Sequence, residues 1–147
     1  MTKQEVRQLL AVILPPAPAG LGLPTAEEWE VLEVRLGARF PEDLKHFIEL
    51  MSEFAFPGDV YNVPQAAPSN GNDTMDLVYR QEVEASHWPA DWIPFYGVGN
   101  GDYFAVRRQT SPESGVYYWY HEKRSMELYA RSVKEWLEQL PTFLEGG

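Results

Sequence analysis

Trp92-Ile93-Pro94-Phe95-Tyr96-Gly97-Val98-Gly99-Asn100-Gly101-Asp102-Tyr103-Phe104-Ala105-Val106-Arg107-Arg108 is the stretch whose reading decides the fold. Two runs rich in aromatic and β-branched residues, Ile93 to Val98 and Tyr103 to Arg108, flank Asn100-Gly101, a pair that tolerates the positive φ angles of a type I′ turn. The stretch therefore predicts an antiparallel hairpin. With a two-residue turn, Val98 faces Tyr103, Gly97 faces Phe104, Tyr96 faces Ala105 and Phe95 faces Val106. Side chains alternate between the faces of a strand, so this register puts Phe95, Phe104 and Val106 on a core face and Tyr96, Tyr103 and Arg107 on the opposite one. The spacing Gly97-x-Gly99-x-Gly101 is turn chemistry rather than a phosphate loop, because such a loop needs a helix N-terminus directly after the glycines and here a strand follows.

Downstream, Val116 to His121 carries five consecutive large residues and predicts a third strand, central or covered on both faces. Ser132 with Glu135 forms a capping box, and Val133, Trp136, Leu137 and Leu140 form the stripe of a last helix that Pro141 is expected to end. Upstream, Pro41 suits a first helical position, and Leu44, Phe47, Ile48, Met51 and Phe54 share one face of a helix over about 41 to 53, with Glu42, Glu49 and Glu53 opposite. Thr25 and Glu28 cap a helix over 26 to 36 that Gly37 can close. Val6, Leu9, Leu10 and Ile13 mark a helix over 3 to 13, stopped by Pro15 and Pro16. Residues 57 to 72 are turn-rich and expected to be the most mobile part, apart from Val60 to Val63, a short edge strand. Residues 74 to 85 fit both periods; a helix is favoured because Asn72 or Asp73 can cap it and Glu82 and Glu84 are poor strand residues. The expected architecture is one α+β domain over 1–147, a mainly antiparallel sheet flanked by helices. An N-terminal helix and Pro/Gly-rich connector occupy 1–24 and the core occupies 25–140.

Twelve basic and 22 acidic residues among 147 give a net charge of −10 and a pI near 4.7, the wrong sign for coating phosphate backbones. Nucleic acid is not expected as a direct partner. Without cysteine there is no disulfide, no thiolate metal site and no cysteine nucleophile. The longest mainly apolar run, Leu9 to Leu14, is far short of the ~20 residues that span a bilayer, and no signal peptide is read before it. No membrane association is expected, and a cytoplasmic location follows by default.

Catalytic groups are sparse. No Gly-x-Ser-x-Gly elbow occurs, and paired carboxylates such as Glu27 and Glu28 lie at helix N-termini, where the macrodipole explains them. The imidazoles are His46, expected on the solvent side of its helix beside Glu42 and Glu49; His87, near Pro89; and His121, at a strand end beside Glu122, the best placed for a functional role. No His/Asp/Glu group has metal-ligand spacing. The chain reads as a non-enzyme without cofactor or metal.

Two features go beyond a bland surface. Between Thr25 and Glu53 there are eight acids and three bases, half of the net charge, so Glu42, Glu49 and Glu53 are candidates for steering a basic partner; an ordinary solvated helix face is the competing explanation. The other is the sheet surface opposite the core face. Tyr96, Asp102, Tyr103 and Arg107 of the hairpin, with Tyr118, Tyr120 and His121 of the third strand, are the candidate partner-binding residues, since Tyr and Arg anchor interfaces. The competing explanation is that another helix covers that face.

Phe40-Pro41-Glu42-Asp43-Leu44-Lys45-His46-Phe47-Ile48, then Trp92 to Phe104, then Val116-Tyr117-Tyr118-Trp119-Tyr120-His121, then Ser132 to Leu140 together resemble the SUKH superfamily, and within it the Smi/Knr-type branch named for a fungal cell-wall-assembly regulator. The order of segments matches over about residues 25 to 140. The resemblance implies an α+β fold with no known enzymatic activity. It implies an immunity protein that neutralises a toxin of a bacterial contact-dependent or polymorphic toxin system, a basic toxin domain given this chain's charge. The alternative is a regulatory scaffold with endogenous partners, as in fungal members. One departure is the segment Glu53-Phe54-Ala55-Phe56-Pro57-Gly58, which stands where the family often has Asn-Gly-Gly.

Overall fold

Side-chain caps start three of the helices. In the computed structural model, which describes residues 1–17, 23–65, 74–108 and 115–146, α1 (Lys3–Ile13) and α2 (Ala26–Leu36) open on reciprocal capping boxes built by Thr2 with Glu5 and Thr25 with Glu28. Gly37 closes α2 in the left-handed conformation, φ 65°. The predicted third helix is observed as α3 (Glu42–Glu49) continued by a 3-10 turn over Leu50–Ser52. The ambiguous segment is helical, α4 (Met75–Ala85). Its expected caps Asn72 and Asp73 lie outside the described residues, and Thr74 donates its hydroxyl to Asp76 (2.7 Å) instead of capping. The last helix, α5 (Val133–Gly146), starts with the Ser132 hydroxyl accepting from the Glu135 amide (3.1 Å). It does not end at Pro141, which sits inside it. The turn beyond Pro141 carries Phe143, whose ring lies 5.0 Å from Phe104 and 6.2 Å from Tyr129. That packing offsets the hydrogen bond a proline removes.

The strands are β1 (Asp59–Val60), β2 (Trp92–Gly97), β3 (Tyr103–Arg107), β4 (Val116–Tyr120) and β5 (Ser125–Ala130), in the order β1-β2-β3-β4-β5 with every neighbour antiparallel. The edge strand expected over Val60 to Val63 is shorter and shifted, though the Tyr61 amide still donates to the Phe95 carbonyl (3.0 Å). β5 has no counterpart in the sequence reading, because Ser-Met-Glu-Leu-Tyr-Ala lacks a β-branched run and clean alternation.

The hairpin register differs from the expected one. Gly97 pairs with Tyr103 and Tyr96 with Phe104, and after an irregularity between Pro94 and Tyr96, Ile93 pairs with Val106 and Trp92 with Arg107. The connection is the longer loop Val98 to Asp102, closed by the Val98 amide on the Asp102 carbonyl (3.1 Å), with Gly99 and Gly101 at φ 100° and 99°. The Asn100 side chain accepts from the Asp102 amide (2.9 Å), an Asx turn that takes the place of a two-residue reversal. Proline, having no N–H to give to a ladder, is suited to the bulge. The bulge sends two consecutive side chains, Phe95 and Tyr96, into the core, at 0% and 1% exposure. Phe95, Phe104 and Val106 therefore do share the core face as expected, while Tyr96 joins them instead of facing Tyr103 and Arg107.

Trp136 of α5 is the centre of that core, with ring centroids of Phe47, Phe95 and Phe104 at 4.9, 5.1 and 5.2 Å. α1 packs on the same side and buries Val6 and Leu10 completely. The second sheet face has its own cluster, Trp88, Ala105 and Trp119, with Tyr79 and Val83 of α4 packed against it. β4 is thus covered on both faces, by Trp136's cluster beneath Val116 and Tyr118 and by Trp88 over Trp119.

Candidate functional site

Asp102 is a carboxylate at the rim of the sheet, where the β2–β3 loop enters β3, and it is 9% exposed. It accepts from the Tyr118 hydroxyl (2.7 Å), the His121 amide (2.9 Å) and His121 Nδ1 (2.6 Å). Burial by itself would raise the Asp102 pKa, but the hydrogen bonds from the His121 backbone and ring and from Tyr118 outweigh it and hold the carboxyl below its ordinary value. The Tyr118 hydroxyl is pushed well up, by burial first and then by the Asp102 charge. With Nδ1 donating to Asp102, the imidazole presents Nε2 outward; this tautomer is assigned from the hydrogen bonds.

The His121 ring stands at the mouth of a cleft of about 380 Å³ between the C-terminal end of α4 and the sheet rim. Its walls include Glu82, His87, Tyr103, Trp119, His121 and Arg124. The Tyr103 hydroxyl donates to Glu82 (3.1 Å), and its pKa is pushed up to about 12 by burial and by the Glu82 charge. His87 and Arg124, at φ 57° and 53°, are the non-glycine residues with positive φ among the described residues, and both line this cleft. Such conformations cost of order 1–3 kcal/mol each and concentrate at functional sites. Gly101 lets the ring lie against the loop, since a Cβ there would meet His121 Cγ at 3.0 Å on a backbone of φ 99°. Gly101→Ala is expected to displace the imidazole from Asp102; a His121 ring shift unchanged in NMR spectra of the variant would contradict this packing.

Of the seven residues singled out as partner-binding, Tyr103 and His121 line the cleft and Asp102 holds His121 beside it. Tyr118 is not on that surface as expected: it is buried in the core at 8% exposure, and only its hydroxyl reaches Asp102. Tyr120 adjoins through Tyr118 (4.6 Å between rings) on the core side, with the Lys123 ammonium 4.9 Å over its ring. Tyr96 is a core residue, as the bulge dictates. Arg107 lies at the other end of β3, over the Trp92 ring (5.3 Å), away from the cleft. Glu82, Trp119 and Arg124 escaped the sequence reading. Glu82 carries no local mark, and Arg124 sits in a turn recognisable only once β5 is known.

The acidic candidates are rearranged by α1. Glu49 accepts from Lys3 (3.1 Å) and from the Trp29 indole (2.9 Å), and Glu53 is gripped by Arg7 through two bonds (2.8 and 3.1 Å), which holds its carboxyl below the ordinary value. Glu42 remains open, its side chain 74% exposed. Helices two and three therefore do not present Glu49 and Glu53 as unpaired charge, and the i, i+4 spacing of Lys3 and Arg7 was the available signal. His46 lies off the buried face of α3 and beside Glu42 as expected (Nε2 to Oε2 4.0 Å), but the chain start partly covers it: its Nδ1 lies 3.2 Å from the Met1 carbonyl and its side chain is 23% exposed. Among the described residues no three His, Asp or Glu side chains are grouped to hold a metal ion, and no helix is long and apolar enough to cross a membrane.

Among the described residues, five α-helices and a five-stranded antiparallel sheet make an α+β domain consistent with the SUKH fold. The chain belongs to the SUKH_5 family, described as SMI1-KNR4 cell-wall, whose model matches residues 4–144. Among solved structures it is similar to the crystal structure of a protein from Pseudomonas syringae pv. tomato, with a TM-score of 0.66 and 20% identity over 93% of this chain and 96% of that one. At that identity the likeness is one of fold. No curated protein matches the chain. The family is one of protein-interaction modules and includes immunity proteins.

Proposed function

We propose that this chain is a non-enzymatic immunity protein that binds and neutralises a cognate toxin, a basic domain of a bacterial contact-dependent or polymorphic toxin system, in the cytoplasm. The observation that carries the reading is the cleft at the hairpin tip: a buried carboxylate fixes an exposed imidazole beside Tyr103, with Trp119 behind it, as an interface pocket requires of its anchors. Family membership and the net charge of −10 support a basic protein partner.

The test is co-expression with the toxin domain encoded beside this chain. Protection together with a stoichiometric complex is the expected outcome; neither protection nor complex would end the reading, and several weak partners in place of one would favour a regulatory scaffold. Within the complex, Tyr103→Ala is expected to speed dissociation at a cost of about 2 kcal/mol or more, with association little changed, because buried Tyr anchors set dissociation. Stopped-flow association and chase dissociation rates on folded variant check this.

A further inference from the structure

We infer that the cleft between α4 and the sheet rim receives the cationic end of a basic side chain, an arginine or lysine carried by the protein partner. The inference rests on the protein-binding reading above and names the chemical group the site takes. Its grounds are the acceptors and rings that meet there. Glu82 is half-buried, and Tyr103 occupies one carboxylate oxygen (3.1 Å), leaving lone pairs for a further donor. His121 spends its Nδ1 proton on Asp102, so in the neutral ring Nε2 is an acceptor as well. α4 ends at Ala85, and the negative end of a helix dipole favours a cation within its last turn. Tyr103 and Trp119 supply aromatic walls, which attract guanidinium and ammonium groups.

The opposing charges are weaker. Arg124 and His87 also line the cleft, but both are exposed, where solvent and salt screen them, whereas the carboxylates of Glu82 and Asp102 are half-buried and buried. The long-range field of a chain carrying −10 has the same sign as the acceptors. A volume of about 380 Å³ accommodates one long side chain and its donors. The occupant is therefore a single basic side chain rather than an acidic one.

The experiment is a titration of the full chain, followed by amide NMR shifts, with N-acetylated tetra-arginine, tetra-lysine and tetra-glutamate peptides. The basic peptides are expected to give saturable shifts at Ser86, Gly101 and His121, and tetra-glutamate none. Glu82→Gln keeps an oxygen for Tyr103 and is expected to weaken the basic peptides at least tenfold, while the exposed Glu138→Gln on α5 changes them less than twofold. His121→Ala, at an exposed ring, is the second variant and should also weaken them, with thermal melts verifying that both fold. Shifts confined to α3 with the cleft silent would overturn the inference. So would cleft shifts caused by tetra-glutamate and lost in Arg124→Ala. Cleft shifts without any toxin complex would sink the immunity reading alone; a complex unaffected by Glu82→Gln, with the cleft silent to every peptide, would sink this inference alone.

Discussion

Trp136→Ala is expected to lower the free energy of unfolding by about 3–5 kcal/mol, the range for truncating a fully buried large aromatic residue. The indole is 0% exposed and touches rings from three other elements: Phe47 of α3, Phe95 of β2 and Phe104 of β3. Those neighbours belong to rigid strands and a helix, so the space left behind closes only in part, which is what makes such deletions costly. One term acts against the native residue: Trp136 Nε1 is buried without a hydrogen-bond partner among the described residues. Trp136→Phe removes that orphan donor along with part of the ring, so its cost is expected to be much smaller, about 1 kcal/mol. Urea titrations read the difference as a shift of midpoint at constant slope. A loss below about 1 kcal/mol for the alanine variant would contradict the placement of α5 on the sheet.

Asp102→Ala is expected to cost about 2–3 kcal/mol, since it strips the acceptor from the Tyr118 hydroxyl and from two nitrogens of His121, bonds made to a charged group. The same carboxylate adds a pH dependence whose sign follows from its shift. Its folded pKa lies below the unfolded value, so its contribution is fully present above about pH 4 and is lost as pH falls through the lower, folded value. Asp76, held low by Thr74 and Arg35 against its burial, acts in the same direction. Urea midpoints measured from pH 7 to pH 2.5 should fall more steeply for the native chain than for Asp102→Asn, the two curves approaching each other in acid. Parallel curves would mean that the Asp102 charge does not support the hairpin tip.

The hairpin tip also shows how far local sequence reaches. Asn100-Gly101 correctly locates a chain reversal, because positive φ is a property of a few residues and needs no distant partner. The same pair was insufficient to set the register. Asn100 bonds the Asp102 amide and Pro94 accompanies a bulge, so the loop is longer than two residues and Tyr96 turns inward. One residue of slip moves a side chain to the other face, and Tyr96 crossed from candidate anchor to core for that reason. Acidity on residues 25 to 53 was equally plain in the composition, but its meaning changed once Lys3 and Arg7 were laid across Glu49 and Glu53.

By itself the sequence determined the features whose physics is contained within a few residues: the capping box at Thr25, the Ser132 hydroxyl cap of α5 (its Glu135 carboxylate accepts from the Arg131 amide rather than closing a box), the αL stop at Gly37, the apolar stripes of α1, α3 and α5, and the existence of β2, β3 and β4. The SUKH-like order of those segments was legible too. Tertiary structure alone decided what depends on contact between distant parts of the chain. β5, whose residues have little strand preference of their own, exists because β4 offers it a ladder. α5 continues through Pro141 because Phe143 has the aromatic core to pack against. The site joins Glu82 of α4, Asp102 of the β2–β3 loop, which holds His121, and His121 and Arg124 of the β4–β5 turn, three segments far apart in the chain. No local pattern marks such residues, since a carboxylate becomes a site by being buried against the right donors, and burial is a property of the folded whole.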